Sequence, residues 1–340
     1  MKGLGTGGEQ WSSVLTQYCD GVAVGAQTCP ASNTQHVAYP TGGALAGVWA
    51  DEGTPSPQQA TAHQLAQEAV SAAAHFGNTT ATSNRDAQYV IVSPTGTDPD
   101  GWLGGGFCAW HDYNGDSTLK GGGPVPSPYG DIAFTNLPYV PDQGAICGQN
   151  YVNSGSAGTL DGVSVIEGHE YAETSTDQNP PGGWTGFFGA EDGDKCIWIP
   201  PGTPGGSFDL NTAHGTFAMQ TTWANEGNGG NGACEASGDT VTVTNPGPQS
   251  SYRGYLATLQ ITAASSYGYP LLTYQATGLP PGLIINSSTG LIRGIPRFGA
   301  DPPITYPVTV TVTDASGAQG SASFTWSVEW IRFCKPTTCS

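Results

Sequence analysis

Glycine and proline interrupt this chain too often for long helices to dominate it. Its 340 residues include 51 Gly and 26 Pro, and both residues weaken helix interiors. Turn-forming pairs recur at Asn114-Gly115, Asn179-Pro180, Pro181-Gly182 and Pro201-Gly202. Such a chain suits short strands joined by turns and long loops. Its length exceeds the roughly 100–200 residues of one ordinary domain. The expected fold class is α+β: an irregular, loop-rich domain with a few helices, then a β-sandwich.

Charge narrows the function classes. Nine Lys and Arg stand against 27 Asp and Glu, a net of −18. Too few basic residues are present to neutralise phosphates, so nucleic acid and anionic membrane surfaces are set aside as partners. Like-charge repulsion alone would explain the acidity as a solubility device. No run of about 18 apolar residues suggests a membrane span. Met1-Lys2 and the glycine-rich stretch after it read as an expression start with upstream targeting removed.

The eight Cys are 19, 29, 108, 147, 196, 234, 334 and 339. No Cys-x-x-Cys pair occurs, which argues against a zinc ribbon or a thioredoxin-type site. An even count in a Gly-rich chain points to disulfides in an oxidising compartment, hence to a secreted, extracellular protein. Eight cysteines allow about a hundred pairings. The simplest is sequential: 19–29, 108–147, 196–234 and 334–339.

Two helices are expected. One lies within 54–77, with Thr54 or Ser56 as cap, Pro55 and Pro57 in the first turn, and an apolar stripe of Ala62, Leu65, Ala66, Ala69, Val70 and Ala73; Gly77 stops it. The other runs from about Leu160 to Thr174, with Asp161 as cap. Tyr89–Val92 reads as a short buried strand, and Ile132–Phe134 as a further candidate. Beyond about residue 246 the pattern is all β. Val308, Val310 and Val312 alternate, as do Phe324, Trp326 and Val328. With Asn245-Pro246-Gly247-Pro248 as a linker, the expected domains are 1–246 and 247–340.

The chemistry concentrates in Gly168-His169-Glu170-Tyr171-Ala172-Glu173. Helical residues four apart share a face, so His169 and Glu173 can converge on one ion. Zinc accepts both donor types. Glu170 then lies beside the ion and can act as general base, taking a proton from the attacking water and passing it to the leaving group. An exposed helix with solvated glutamates would carry the same letters, since HExxE fixes only three positions. The low charge content and the following acids Asp177, Glu191, Asp192 and Asp194 favour the site. A third ligand is needed; Glu191 is preferred, with Asp194, Asp177 and His111 as alternatives. A His-Glu-Glu shell would be hard and anionic, so calcium or manganese could replace zinc. The expected function is a secreted zinc hydrolase acting on protein or peptide substrates. The alternative is a non-catalytic extracellular or cell-surface binding protein on the same scaffold.

Two resemblances add to this. Leu279-Pro280-Pro281-Gly282-Leu283, Ser288-Thr289-Gly290, Gly294, Pro296 and Val312-Thr313-Asp314 resemble immunoglobulin-like modules of secreted bacterial proteins. That implies a sandwich serving as spacer, stabiliser or contact with polysaccharide or a cell surface, over roughly 250–329. The order of GGFC…H, FTNLPYVPDQGAICGQNY, GVSVIEGHE and DKC, with landmarks Cys108, Cys147, Thr176, Glu191, Cys196 and Cys234, resembles the phosphate-induced, exordium-like proteins of plants and their bacterial relatives over roughly 85–235. The plant members lack the His-Glu pair, so their growth role does not carry over. The bacterial HExxE form looks like a metallopeptidase-type domain.

If the compartment argument holds, intact-mass measurement without reduction will find no free thiol in protein from an oxidising host. Several free thiols would refute it.

Overall fold

The computed structural model describes residues 1–19, 29, 35–53, 55–268, 270–298, 303–315 and 317–330. They form two compact units: 1–225 with 232–238, and 226–231 with residues from 239 onward. Three disulfides follow the sequential pairing, Cys19–Cys29, Cys108–Cys147 and Cys196–Cys234; Cys334 and Cys339 lie outside the described residues. Among the described residues no helix is long and apolar enough to cross a membrane.

In the first unit, helix α1 (Ala62–His75) buries the expected stripe. It starts later than the sequence suggested. Thr61 accepts from the Gln64 backbone N–H, and the Gln64 side chain accepts from the Thr61 N–H. This reciprocal cap satisfies two otherwise orphaned donors and fixes the start beyond Ser56; Thr54 lies outside the described residues. A four-residue helix, α2 (Ala81–Asn84), follows. Strands β1 (Gln88–Val92), β2 (Trp110–Tyr113) and β3 (Ala133–Leu137) form a sheet in the order β1-β3-β2, with β1 parallel and β2 antiparallel to β3. All five residues of β3 are buried. β1 is an edge strand: Tyr89 is buried, whereas Val92 is 65% exposed. The apolar run therefore marked a strand correctly but overstated its burial.

Helix α3 (Asp161–Thr176) contacts the sheet on the face opposite α1. It is buried on nearly every side, so no amphipathic stripe announces it. Glycine permits this. A Cβ at Gly162 would lie 2.0 Å from the Cys147 carbonyl oxygen, in a segment held by the Cys108–Cys147 bridge. Asp161 does not cap the helix; its carboxylate accepts the Val152 and Asn153 N–H groups and ties down the preceding loop. The hairpin β4 (Phe208–Thr212) and β5 (Gly215–Met219) packs on α3, and β6 (Thr222–Ala224) pairs with β7 (Ala233–Glu235).

The second unit contains β8 (Val241–Val243), β9 (Gln249–Tyr252), β10 (Ala257–Gln260), β11 (Ala263–Ser265), β12 (Thr273–Thr277), β13 (Leu283–Ile285), β14 (Leu291–Gly294), β15 (Ile304–Thr313) and β16 (Gln319–Glu329). Sheets β12-β15-β16-β9 and β10-β14-β13 supply one apolar core, to which Val308, Val310, Val312, Phe324, Trp326 and Val328 contribute as their alternation predicts. The boundary falls earlier than residue 246. β8 pairs with β11, so Asn245-Pro246-Gly247-Pro248 is a loop between two strands of this unit.

Asp239 accepts from the Ser266 hydroxyl and the Tyr267 N–H. Burial and the neighbouring Asp314 hold its carboxyl above the usual carboxylate range. A raised folded-state pKa contributes stability below the ordinary value that is lost as pH rises through the raised one. Asp239→Asn keeps an acceptor but removes the charge. Thermal melts should show a gain for the variant at pH 7 that shrinks towards pH 3; a gain independent of pH would refute this account.

Candidate metal centre

Helix α3 presents His169, Glu170 and Glu173, and all three are buried. Strand β2 presents His111 from the sheet, and the turn after α3 brings Glu191, Asp192 and Asp194. The Cys196–Cys234 bridge and the bond from Trp223 N–H to the Asp192 carbonyl hold that turn.

Glu173 lies at the centre. Its Oε1 is 3.0 Å from His169 Nε2 and accepts the Asp194 N–H at 2.9 Å. Its Oε2 is 3.6 Å from His111 Nδ1. Asp194 Oδ1 lies 3.7 Å from His169 Nε2. Glu170 Oε2 is 3.5 Å from His111 Nδ1 and has no hydrogen-bond partner, although Glu170 is only 2% exposed. Two groups of three could each hold an ion: His169, Glu173 and Asp194, and His111, Glu170 and Glu173.

The outer nitrogen of each imidazole is fixed. Gln220 Nε2 donates to the Gly193 and Thr221 carbonyls, so its Oε1 faces His169 Nδ1 at 3.2 Å as an acceptor. His169 Nδ1 therefore donates. His111 Nε2 meets the Asp177 carbonyl at 3.1 Å and must donate to it. In neutral tautomers the remaining nitrogen of each ring then points a lone pair at carboxylate oxygens. Metal-binding histidines are oriented in this way, by a hydrogen bond from the other ring nitrogen.

The electrostatics are lopsided. Among the described residues no Lys or Arg forms an ion pair with Glu170, Glu173, Asp177, Glu191, Asp192 or Asp194. Buried carboxylate oxygens of Glu170, Asp177, Glu191 and Asp192 have no hydrogen-bond partner. Burial pushes the carboxyl groups of Glu170 and Glu191 up, and that of Asp192 up to about 7. Burial also opposes the charge on Glu173, but His169 and His111 outweigh it and hold that carboxylate below the usual range. Both imidazoles resist deprotonation: burial disfavours their charge, and the facing carboxylates more than compensate. Buried, unpartnered carboxylate oxygens facing two imidazoles make up groups that could hold a divalent cation.

The preferred third residue, Glu191, faces the outer nitrogen of His111, its Oε1 3.5 Å from Nε2. Asp194 stands beside His169 and Glu173 instead, because its own N–H is anchored on Glu173. Asp177 spends one oxygen on the Gly182 and Gly183 N–H groups. Gln220 was missed; nothing in the sequence marks a lone glutamine as the partner of a distant histidine.

Residues 239–329 match the family described as "Putative Ig domain". No curated protein matches the chain. Among solved structures, a "putative alpha-galactosidase/melibiase" of Bacteroides fragilis is 20% identical over 26% of this chain and 17% of that one, with a TM-score of 0.22. Titin domain M7 is 12% identical over 27% of this chain and 95% of that one, at 0.21. This chain thus spans about a sixth of the first relative's length. The immunoglobulin-like character of the second unit rests on the family match.

A Cβ at Gly193 would lie 2.9 Å from Glu173 Oε1 and 3.0 Å from His169 Nδ1. Gly193→Ala must displace one of them. Overpacking of this kind costs about 1–3 kcal/mol, so the melting temperature should fall by several degrees; an unchanged melt would show that the cluster is looser than described.

Proposed function

We propose that the first unit is a secreted, metal-dependent hydrolase, most concretely a zinc peptidase. The observation that carries this is the orientation of His169: Gln220 holds its Nδ1, so its Nε2 faces Glu173 and Asp194 one residue before the buried Glu170, whose Oε2 has no hydrogen-bond partner. His169, Glu173 and Asp194 would hold the ion, in place of the set His169, Glu173 and Glu191 favoured by sequence. Bound there, a divalent cation supplies Lewis acidity to a scissile carbonyl. With two carboxylates in the set, calcium and manganese remain competitors of zinc.

The protein's own contribution is a proton acceptor and its setting. Glu170 takes a proton from the attacking water and returns it to the leaving amine. Burial raises its pKa, which brings it nearer the range that suits an acid–base group at neutral pH. Gln220 holds the His169 ring, and the half-exposed Asp194 side chain leaves the site a route to solvent. The likeness to the exordium-like family agrees in the order of its cysteines but carries none of this chemistry. Secretion is supported by the disulfides and the immunoglobulin-like unit, which we assign to contact with polysaccharide or a cell surface. That unit would be the working part if the protein were a binding protein without catalysis.

Glu170→Gln should lower hydrolysis of casein or mixed peptides by about 10²–10⁴-fold. It should leave one ion on His169, Glu173 and Asp194, as read by elemental analysis. Full activity in the variant would place the chemistry elsewhere. No hydrolysis by metal-loaded wild type from acid to neutral pH would favour the binding-protein reading.

A further inference from the structure

The His169 group leaves half of the cluster unused. His111 lies on the far side of Glu173, with its Nε2–H committed to the Asp177 carbonyl. Its Nδ1 faces Glu170 Oε2 at 3.5 Å and Glu173 Oε2 at 3.6 Å. Between that Nδ1 and the two carboxylates there must sit either a second proton or a cation, and a divalent ion can take the proton's place. Glu170 Oε2 is buried there without a hydrogen bond. The donors repeat those around His169: one imidazole nitrogen held by an outer hydrogen bond, and two carboxylate oxygens within ion-binding span.

We propose that His111, Glu170 and Glu173 form a second divalent-cation position, bridged to the first by Glu173, and that filling it switches the hydrolase off by taking Glu170 as a ligand. This rests on the metal-dependent reading above. Glu173 offers Oε1 to one group and Oε2 to the other, so a single carboxylate can serve both ions. The second ion binds more weakly than the first. It enters a more deeply buried pocket, and it shares Glu173 with an ion of like charge. One ion leaves Glu170 free to accept a proton; two ions bind the oxygen that would do so. Metal concentration then sets activity in both directions, rising with the first equivalent and falling with the second.

The test uses Zn²⁺ alone on the full chain. Calorimetric titration and elemental analysis after dialysis should give two ions per wild-type chain, the second weaker. Peptide hydrolysis should peak near one equivalent and fall by about 10-fold or more as the second binds, approaching the about 10²–10⁴-fold that a general base contributes. Anomalous diffraction at the zinc edge should show two peaks flanking Glu173. His111→Ala and the more conservative His111→Gln should each bind one ion. Should both fold poorly, the wild-type stoichiometry and the anomalous map decide alone. Saturation of wild type at one ion overturns this proposal and leaves the hydrolase reading standing, whereas no bound ion removes both. Two peaks without loss of activity overturn the switch, and a second peak away from His111 overturns the site.

Discussion

Glu173 is a buried carboxylate held between two imidazoles, and the arrangement of the first unit follows from keeping it there. A charge in that position is tolerable only if both oxygens are engaged. One faces His169 and the Asp194 N–H, and the other faces His111. These partners come from a helix, a turn and a strand. Holding Glu173 therefore fixes three segments relative to one another, and their neighbouring acids gather around it.

Covalent and small-residue devices hold those segments. Disulfides bind the loop before β2 to the segment beside α3, and the turn after α3 to β7. Gly162 lets α3 approach the Cys147 backbone, and Gly193 lets the turn approach His169 and Glu173. A side chain at either glycine would push the elements apart. The same high glycine content that makes the chain poor in long helices thus allows one buried helix to be enclosed closely.

The two units obey different rules. In the second, valine and aromatic alternation on β15 and β16 supplies half of the buried apolar core, and the family match covers that region. In the first, helix α3 is buried on nearly all faces, and polar side chains occupy much of its interior environment. Those polar groups are satisfied by specific partners or, like Glu170 Oε2, have no hydrogen-bond partner, so small backbone shifts matter more there.

What could be read from sequence was what depends on near neighbours along the chain. Strand alternation, the apolar stripe of α1, the stop at Gly77 and the i, i+4 pairing of His169 with Glu173 are all local. Boundaries were less legible where a competing local bond decided them: Thr61 with Gln64 set the start of α1, and β8 pairing with β11 drew the second unit back past residue 246. Which acid joins His169, and that His111 faces the same carboxylate, depended on the tertiary fold. Gln220, 51 residues from His169, sets the ring's direction, and the Asp177 carbonyl, 66 residues from His111, sets the other. Composition supplied the candidate ligands, but long-range hydrogen bonds and chain crossings decided which atoms meet, because a side chain's direction is fixed by partners that sequence spacing does not encode.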